Sequence, residues 1–276
     1  IGTVDSPDAN GIAAAIVPSL VLGLYYVGLK KSKFSKMLCA SAGVFVANAR
    51  ILINSRGAFL AGATSIAFFM YYMYFSAFQK KYQKLIAIWI TIAGLAGVLY
   101  LADELFFERM RTLQNTQIVE EEETGATRVV FWLSAWEMAK DYPFGNGVRG
   151  FDYYAPEYIS LDVNVGGSGR NRSVHSTWFE VLTEIGYLGL ILLIAMVYSC
   201  FKATRACKTN LKEKGDHGGY FKIIAIEAAL VAYLVAMSFM NRFRAEILYW
   251  LVLYTACAYN VYVIKPSSSS MMEKTQ

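Results

Sequence analysis

Residues 11–29, GIAAAIVPSLVLGLYYVGL, contain no charged side chain, and this constrains the fold more than any other feature of the chain. A hydrocarbon layer about 30 Å thick is crossed by roughly 20 apolar helical residues. Backbone amides cannot be left unpaired in lipid, so a segment of this kind crosses as a helix. Comparable runs follow at about 57–78, 85–102, 185–201, 223–240 and 247–264, and residues 37–53 are apolar except for Asn48 and Arg50. Hydrophobic residues make up 56% of the chain and charged ones 17%, against roughly 45–50% and 25% in soluble domains. The expected fold class is an all-α polytopic membrane protein with about seven transmembrane helices. Pro18 is expected to kink the first span, which packed neighbours tolerate.

The lysines set the orientation. Segments 30–36, 79–84 and 202–222 and the tail hold nearly all of them, and the positive-inside rule makes that face cytoplasmic. Segments 1–10, 54–57, 103–184 and 241–246 then face outward, with Lys140 as their only lysine. The expected organisation is four spans over 1–102, one large periplasmic loop with short helices over 103–184, three spans over 185–264, and a disordered cytoplasmic tail over 265–276. The opening residues, IGTVDSPDAN, read as a loop and not as a leader peptide, so earlier spans are expected to precede them.

The outward segments are poor in lysine but carry Arg56, Arg109, Arg111, Arg128, Arg149, Arg170, Arg172, Arg242 and Arg244. A guanidinium is a planar fork that pairs two phosphate oxygens at once, which lysine does not match. The pattern points to an anionic substrate at the lipid–water boundary. The competing reading is anchoring to lipid headgroups or pairing with loop carboxylates such as Glu120 to Glu123; it suits Arg109 and Arg111. Arg50, inside a span, is expected to snorkel outward or pair within the bundle.

Residues 170–190, RNRSVHSTWFEVLTEIGYLGL, lead from this basic loop into an apolar span in what reads as about six helical turns. His175, one of two histidines in the chain, has the side chain best suited to act as a general base near neutral pH. Glu180 and Glu184 follow it closely, and Arg242 and Arg244 in the NRFRAE link are candidate supports. His217 reads as a solvated residue of the cytoplasmic loop at 202–222. In RVVFWLSAWEMAK, 128–140, Arg128, Trp132, Trp136 and Lys140 recur every four residues along one side of a helix. With Val129, Phe131, Leu133 and Met138 beside the tryptophans, that helix is expected to lie in the membrane interface. DYPFGNGVRGFDYY, 141–154, is turn chemistry around Pro143, Gly145, Gly147 and Gly150.

Several chemistries lack their residues. Cys39, Cys200, Cys207 and Cys257 lie in or near apolar runs, with no C-x-x-C spacing. A zinc site would need further outward His or Cys. There is no phosphate-binding loop, dinucleotide fingerprint or G-x-S-x-G. No metal, cofactor or nucleic acid is called for. An anion transporter would account for the arginines, but its usual repeated halves are not visible.

Four segments, in order, carry a family resemblance: SPDANGIAAAIVPSL (6–20), INSRGAFLAG (53–62), RVVFWLSAWEMAKDYPFGNGVRGF (128–151) and VHSTWFEVLTEIGYLGLILL (174–193). The pattern resembles the O-antigen ligase and O-antigen polymerase superfamily, and within it the O-glycosylation ligases that accompany exosortase systems. The resemblance implies a metal-independent glycosyltransferase on the outer face of the bacterial inner membrane. Its donor would be a glycan on undecaprenyl pyrophosphate, and its acceptor a glycan, lipid A–core or protein. His175 matches the histidine regarded as catalytic in that family, and Arg56 and Arg128 match arginines that hold the pyrophosphate, with Arg172 and Arg149 as further candidates. A polymerase, with a second lipid-linked repeat as acceptor, is the alternative.

Overall fold

The computed structural model describes residues 9–29, 56–101, 125–160 and 173–265, with single helical positions at 34, 37, 39, 41 and 43. Its helices are α1 (Ala9–Leu29), α2 (Arg56–Phe75), α3 (Gln83–Leu101), α4 (Gly125–Asp141), α5 (Gly150–Tyr158), α6 (Thr177–Glu213), α7 (His217–Met237) and α8 (Glu246–Tyr259). A wider π-type turn, Asn260–Ile264, prolongs α8. No strand occurs among the described residues, as the sequence leads one to expect. Gly57–Phe75, Thr177–Glu213, His217–Met237 and Glu246–Ile264 are long and apolar enough to cross a membrane, and α1 and α3 carry shorter apolar stretches, Gly11–Val27 and Gln83–Gly94. The described residues are thus all-helical apart from their connections, and their long apolar helices are those of a multi-pass membrane protein. The run at 37–53, with Arg50, lies largely outside the described residues.

The chain forms two compact units. One holds residues 1–102, 197–235 and 245–276. Val21 and Tyr25 of α1 pack there with Phe69, Met70 and Met73 of α2, Ala87 of α3, and Phe221, Ile224 and Ala228 of α7. Pro18 sits inside α1 without ending it. On α6, Lys208 Nζ pairs with Glu227 Oε2 of α7 at 2.5 Å, and Thr204 Oγ1 donates to Glu227 Oε1 at 3.1 Å.

Two expectations are corrected in this unit. Residues 202–222 are not a loop: α6 continues to Glu213 and α7 begins at His217. The basic segment contains good helix formers, and its apolar members Cys207 and Leu211 are buried with Ile223 and Ala258. His217 is not simply solvated either, because its ring stacks on Phe78 with centroids 3.8 Å apart.

The other unit holds residues 103–196 and 236–244. Phe131, Ala135 and Met138 of α4 meet Phe151 and Ala155 of α5, Ile159 and Val174 in a single core. Four-residue spacing advances 40° per step on an α-helix, so Arg128, Trp132, Trp136 and Lys140 drift through about 120° around α4. Trp132 is accordingly half-buried and packs on that core, whereas Trp136 is exposed.

Candidate functional site

Segment α6 has 37 residues, far more than the roughly 20 that cross a hydrocarbon layer. It is broken at Gly186, whose φ of 80° and ψ of −169° are not helical. The polar turns at 177–184 precede the break and the apolar membrane run follows it. The six continuous turns read from 170–190 therefore do not form: residues 173–176 are not helical, and the helix that starts at Thr177 is interrupted nine residues later.

The Pro143–Gly147 loop fills the break. Asn146 N–H donates to Thr183 O at 2.9 Å, Gly147 N–H to Glu184 O at 3.1 Å, and Tyr187 N–H to Pro143 O at 3.0 Å. Two glycines allow this approach. A Cβ on Gly186 would stand 2.6 Å from Phe144 C, and one on Gly145, itself at φ 81°, would stand 2.6 Å from Ile185 N.

His175 lies just ahead of α6 with φ at 51°, in the left-handed region. Histidine tolerates this conformation better than most residues, but it is still uncommon, and such positions cluster at functional sites. The chain on either side of it is clamped. Asn241 Oδ1 accepts Ser176 N–H at 3.0 Å, and Asn241 Nδ2 donates to Ser173 Oγ at 2.6 Å. Thr177 Oγ1 donates to Met240 O at 2.7 Å and accepts Arg242 N–H at 2.9 Å. From α4, Trp132 Nε1 donates to Val174 O at 3.1 Å, and the Phe131 ring faces the imidazole with centroids 6.4 Å apart.

One helical turn below His175, Glu180 and Glu184 share a face of α6. Arg244 Nη1 donates to Glu180 Oε1 at 3.1 Å, and its Nη2 pairs with Glu184 Oε2. Phe243 N–H donates to Glu180 Oε2 at 3.2 Å, and Arg149 N–H to Glu184 Oε1 at 2.7 Å. Both carboxylates are buried. Burial pushes the Glu180 carboxyl up to about 7; the Phe243 amide and Arg244 pull against this, while the Glu184 charge adds to it. The two carboxylates hold Arg244 more firmly protonated.

The second unit thus brings together His175, Glu180, Arg242 and Arg244. Arg128 stands on α4 one turn before Trp132, so the helix that supports the histidine also carries this arginine. Arg149, at φ 58°, turns its side chain to Asp152, with Nε 3.0 Å from Oδ2. Arg56 is the first residue of α2, in the other unit. Arg109, Arg111, Arg170, Arg172 and Glu120 to Glu123 lie outside the described residues. Among the described residues, no group of three or more His, Cys, Asp or Glu is placed to hold a metal ion. Asn241 and the Gly145–Gly186 approach escape a reading of the sequence: the partners of Asn241 lie 65 and 68 residues earlier, and no local spacing signals such contacts. An imidazole whose flanks are fixed in this way has the chemistry to exchange a proton with a hydroxyl near neutral pH.

A family model described as O-antigen ligase matches residues 41–194, slightly more than half of the chain. The match contains Arg56, Arg128, Arg149, Arg172, His175 and Glu180, and ends before Arg242 and Arg244. No curated protein matches the chain.

Proposed function

Because the chain belongs to the O-antigen ligase family, we propose that it is a membrane glycosyltransferase that moves a glycan from undecaprenyl pyrophosphate to an acceptor hydroxyl at the outer face of the bacterial inner membrane. The observation that carries this reading is His175 itself, in a left-handed conformation with hydrogen bonds to Ser173 and Val174 on one side and to Ser176 on the other.

In the proposed reaction, His175 takes the proton of the acceptor hydroxyl as the oxygen attacks the anomeric carbon. The new C–O bond forms as the bond to the pyrophosphate breaks, and the configuration at that carbon inverts. The leaving pyrophosphate keeps the electron pair. Arg56, Arg128 and Arg172 stabilise the developing charge, which is electrostatic catalysis directed at the leaving group. The imidazolium then gives its proton to water. The Glu180–Arg244–Glu184 cluster supports the residues around the histidine. No metal or cofactor takes part.

The test is transfer of labelled glycan from undecaprenyl pyrophosphate in proteoliposomes, compared for the wild type, His175→Ala and Arg56→Ala. Loss of acid–base catalysis predicts a fall of roughly 10²–10⁴-fold for His175→Ala. Undiminished transfer in that variant would refute the role, and no transfer by the wild type to any acceptor would refute the reaction. Acceptor identity separates the two enzyme readings: a ladder of products marks a polymerase, a single transfer a ligase. The acceptor is proposed to be a glycan, lipid A–core or protein.

A further inference from the structure

Helix α4 is apolar on two faces. Its inner face, Phe131, Ala135 and Met138, is buried in the core of its unit. On the outer face, Val129, Leu133 and Trp136 are all exposed, Leu133 at 62%. Among the described side chains of α4, exposed polar ones are confined to its end, at Glu137, Lys140 and Asp141, and Glu137 Oε1 pairs with Lys140 Nζ at 2.7 Å. A water-facing helix is polar opposite its core, so three turns of α4 have the wrong surface for water.

The surroundings identify what covers it. The Trp136 ring meets Tyr187 edge to face, with centroids 6.2 Å apart. Tyr187 opens the apolar half of α6, where Leu188, Ile191 and Leu192 are exposed on a helix long and apolar enough to cross a membrane. The loop after α4 ends at the same point: Pro143 O accepts Tyr187 N–H, and the neighbouring Phe144 side chain is 85% exposed. The bare stripe of α4 is therefore continuous with the surface of a membrane helix, and aromatic rings lie at the join, as at a lipid–water boundary.

We propose that Val129, Leu133, Trp136 and Phe144 lie in the boundary between headgroups and acyl chains of the leaflet that α6 enters, with α4 along the membrane surface. The buried face of such a helix sits about 5–10 Å into that boundary. Arg128, about 12 Å along the helix axis from Trp136, is thereby kept at the depth of lipid phosphates. Phe131 and Met138, which the sequence assigns to this surface, belong to the inner face instead. The proposal rests on α6 crossing the membrane and not on the transferase reading, so either can fail alone.

The test uses the whole protein in liposomes that contain a phospholipid with a photoactivatable acyl chain, with adducts mapped by mass spectrometry. A parallel sample is oxidised from the aqueous side by hydroxyl radicals. Lipid adducts on Val129, Leu133, Trp136 and Phe144 as well as on Leu188–Leu192, with Trp136 left unoxidised, are the expected result. Oxidation of Trp136, with adducts confined to Leu188–Leu192, would place α4 in water and overturn the proposal. Protection of α4 from both reagents would mean that a second copy covers it, and overturns the proposal equally. Leu133→Asp is expected to lose the α4 adducts and keep those on Leu188–Leu192; unchanged α4 adducts would count against it.

Discussion

Tyr187 N–H donates to Pro143 O at 3.0 Å, whereas an unbroken helix would have paired it with Thr183. The Thr183 carbonyl takes Asn146 N–H instead, and the Glu184 carbonyl takes Gly147 N–H. The loop thus satisfies backbone groups that the break in α6 sets free, as buried backbone requires. The break also separates two roles along α6, since the turns before it carry Glu180 and Glu184 and the turns after it enter the membrane.

Gly186→Ala should undo this arrangement. A residue at φ 80° and ψ −169° is in a region essentially restricted to glycine, and strain there costs of order 1–3 kcal/mol. The added methyl would also overlap the Pro143 carbonyl. Thermal unfolding in nanodiscs should show a clear loss of stability, and limited proteolysis should cut sooner within 142–149. An unchanged melting temperature would show that α6 can straighten without the loop.

Arg244→Ala leaves two buried carboxylates sharing no cation. Breaking a buried pair costs about 3–5 kcal/mol, but the Arg244 side chain is 48% exposed. Solvent screening reduces the expected loss to about 2 kcal/mol. Arg244→Lys should recover only part of it, because an ammonium does not reproduce the two-pronged contact to Glu180 and Glu184. Equal stability of the lysine variant and the wild type would mean that charge alone matters there.

Glu180 gives stability a pH dependence. Its folded pKa, about 7, lies above the ordinary glutamate value of about 4.3, so between these values the folded protein binds the extra proton. The contribution is therefore complete below about pH 4 and is lost as pH rises through about 7. It amounts to on the order of 4 kcal/mol. Melting temperature should fall from pH 5 to pH 8, and Glu180→Gln should flatten that slope. An identical slope in the variant would place the titration elsewhere.

The helices that cross the membrane were legible because one physical demand, about 20 apolar residues in a row, leaves its mark on consecutive positions. α4 was legible for the same reason, since its pattern is local. The break at Gly186 was not: a glycine within an apolar run looks the same whether its helix is straight or interrupted, and the difference lies in Pro143 and Phe144, some 40 residues earlier. Which face of α4 each apolar residue takes was likewise hidden, because Phe131 and Leu133 differ only in what packs against them. Glu180 and Glu184 could be singled out, but not that Arg244 joins them.

Asn241 should govern the histidine without touching substrate. Its amide holds Ser173 on one side of His175 and Ser176 on the other, so replacing it with leucine releases both flanks of a residue in a left-handed conformation. Small misplacements of a reacting group cost on the order of 10²-fold in rate. Asn241→Leu should therefore lower kcat for glycan transfer by about that factor while leaving KM for the donor little changed, because the arginines that would bind it are intact. Asn241→Asp should fare better: its carboxylate still accepts Ser176 N–H, and the Ser173 hydroxyl, which acts as donor or acceptor, can turn to donate. A leucine variant with normal kcat would show that His175 keeps its conformation unaided; a rise in KM alone would shift the role of Asn241 to donor binding.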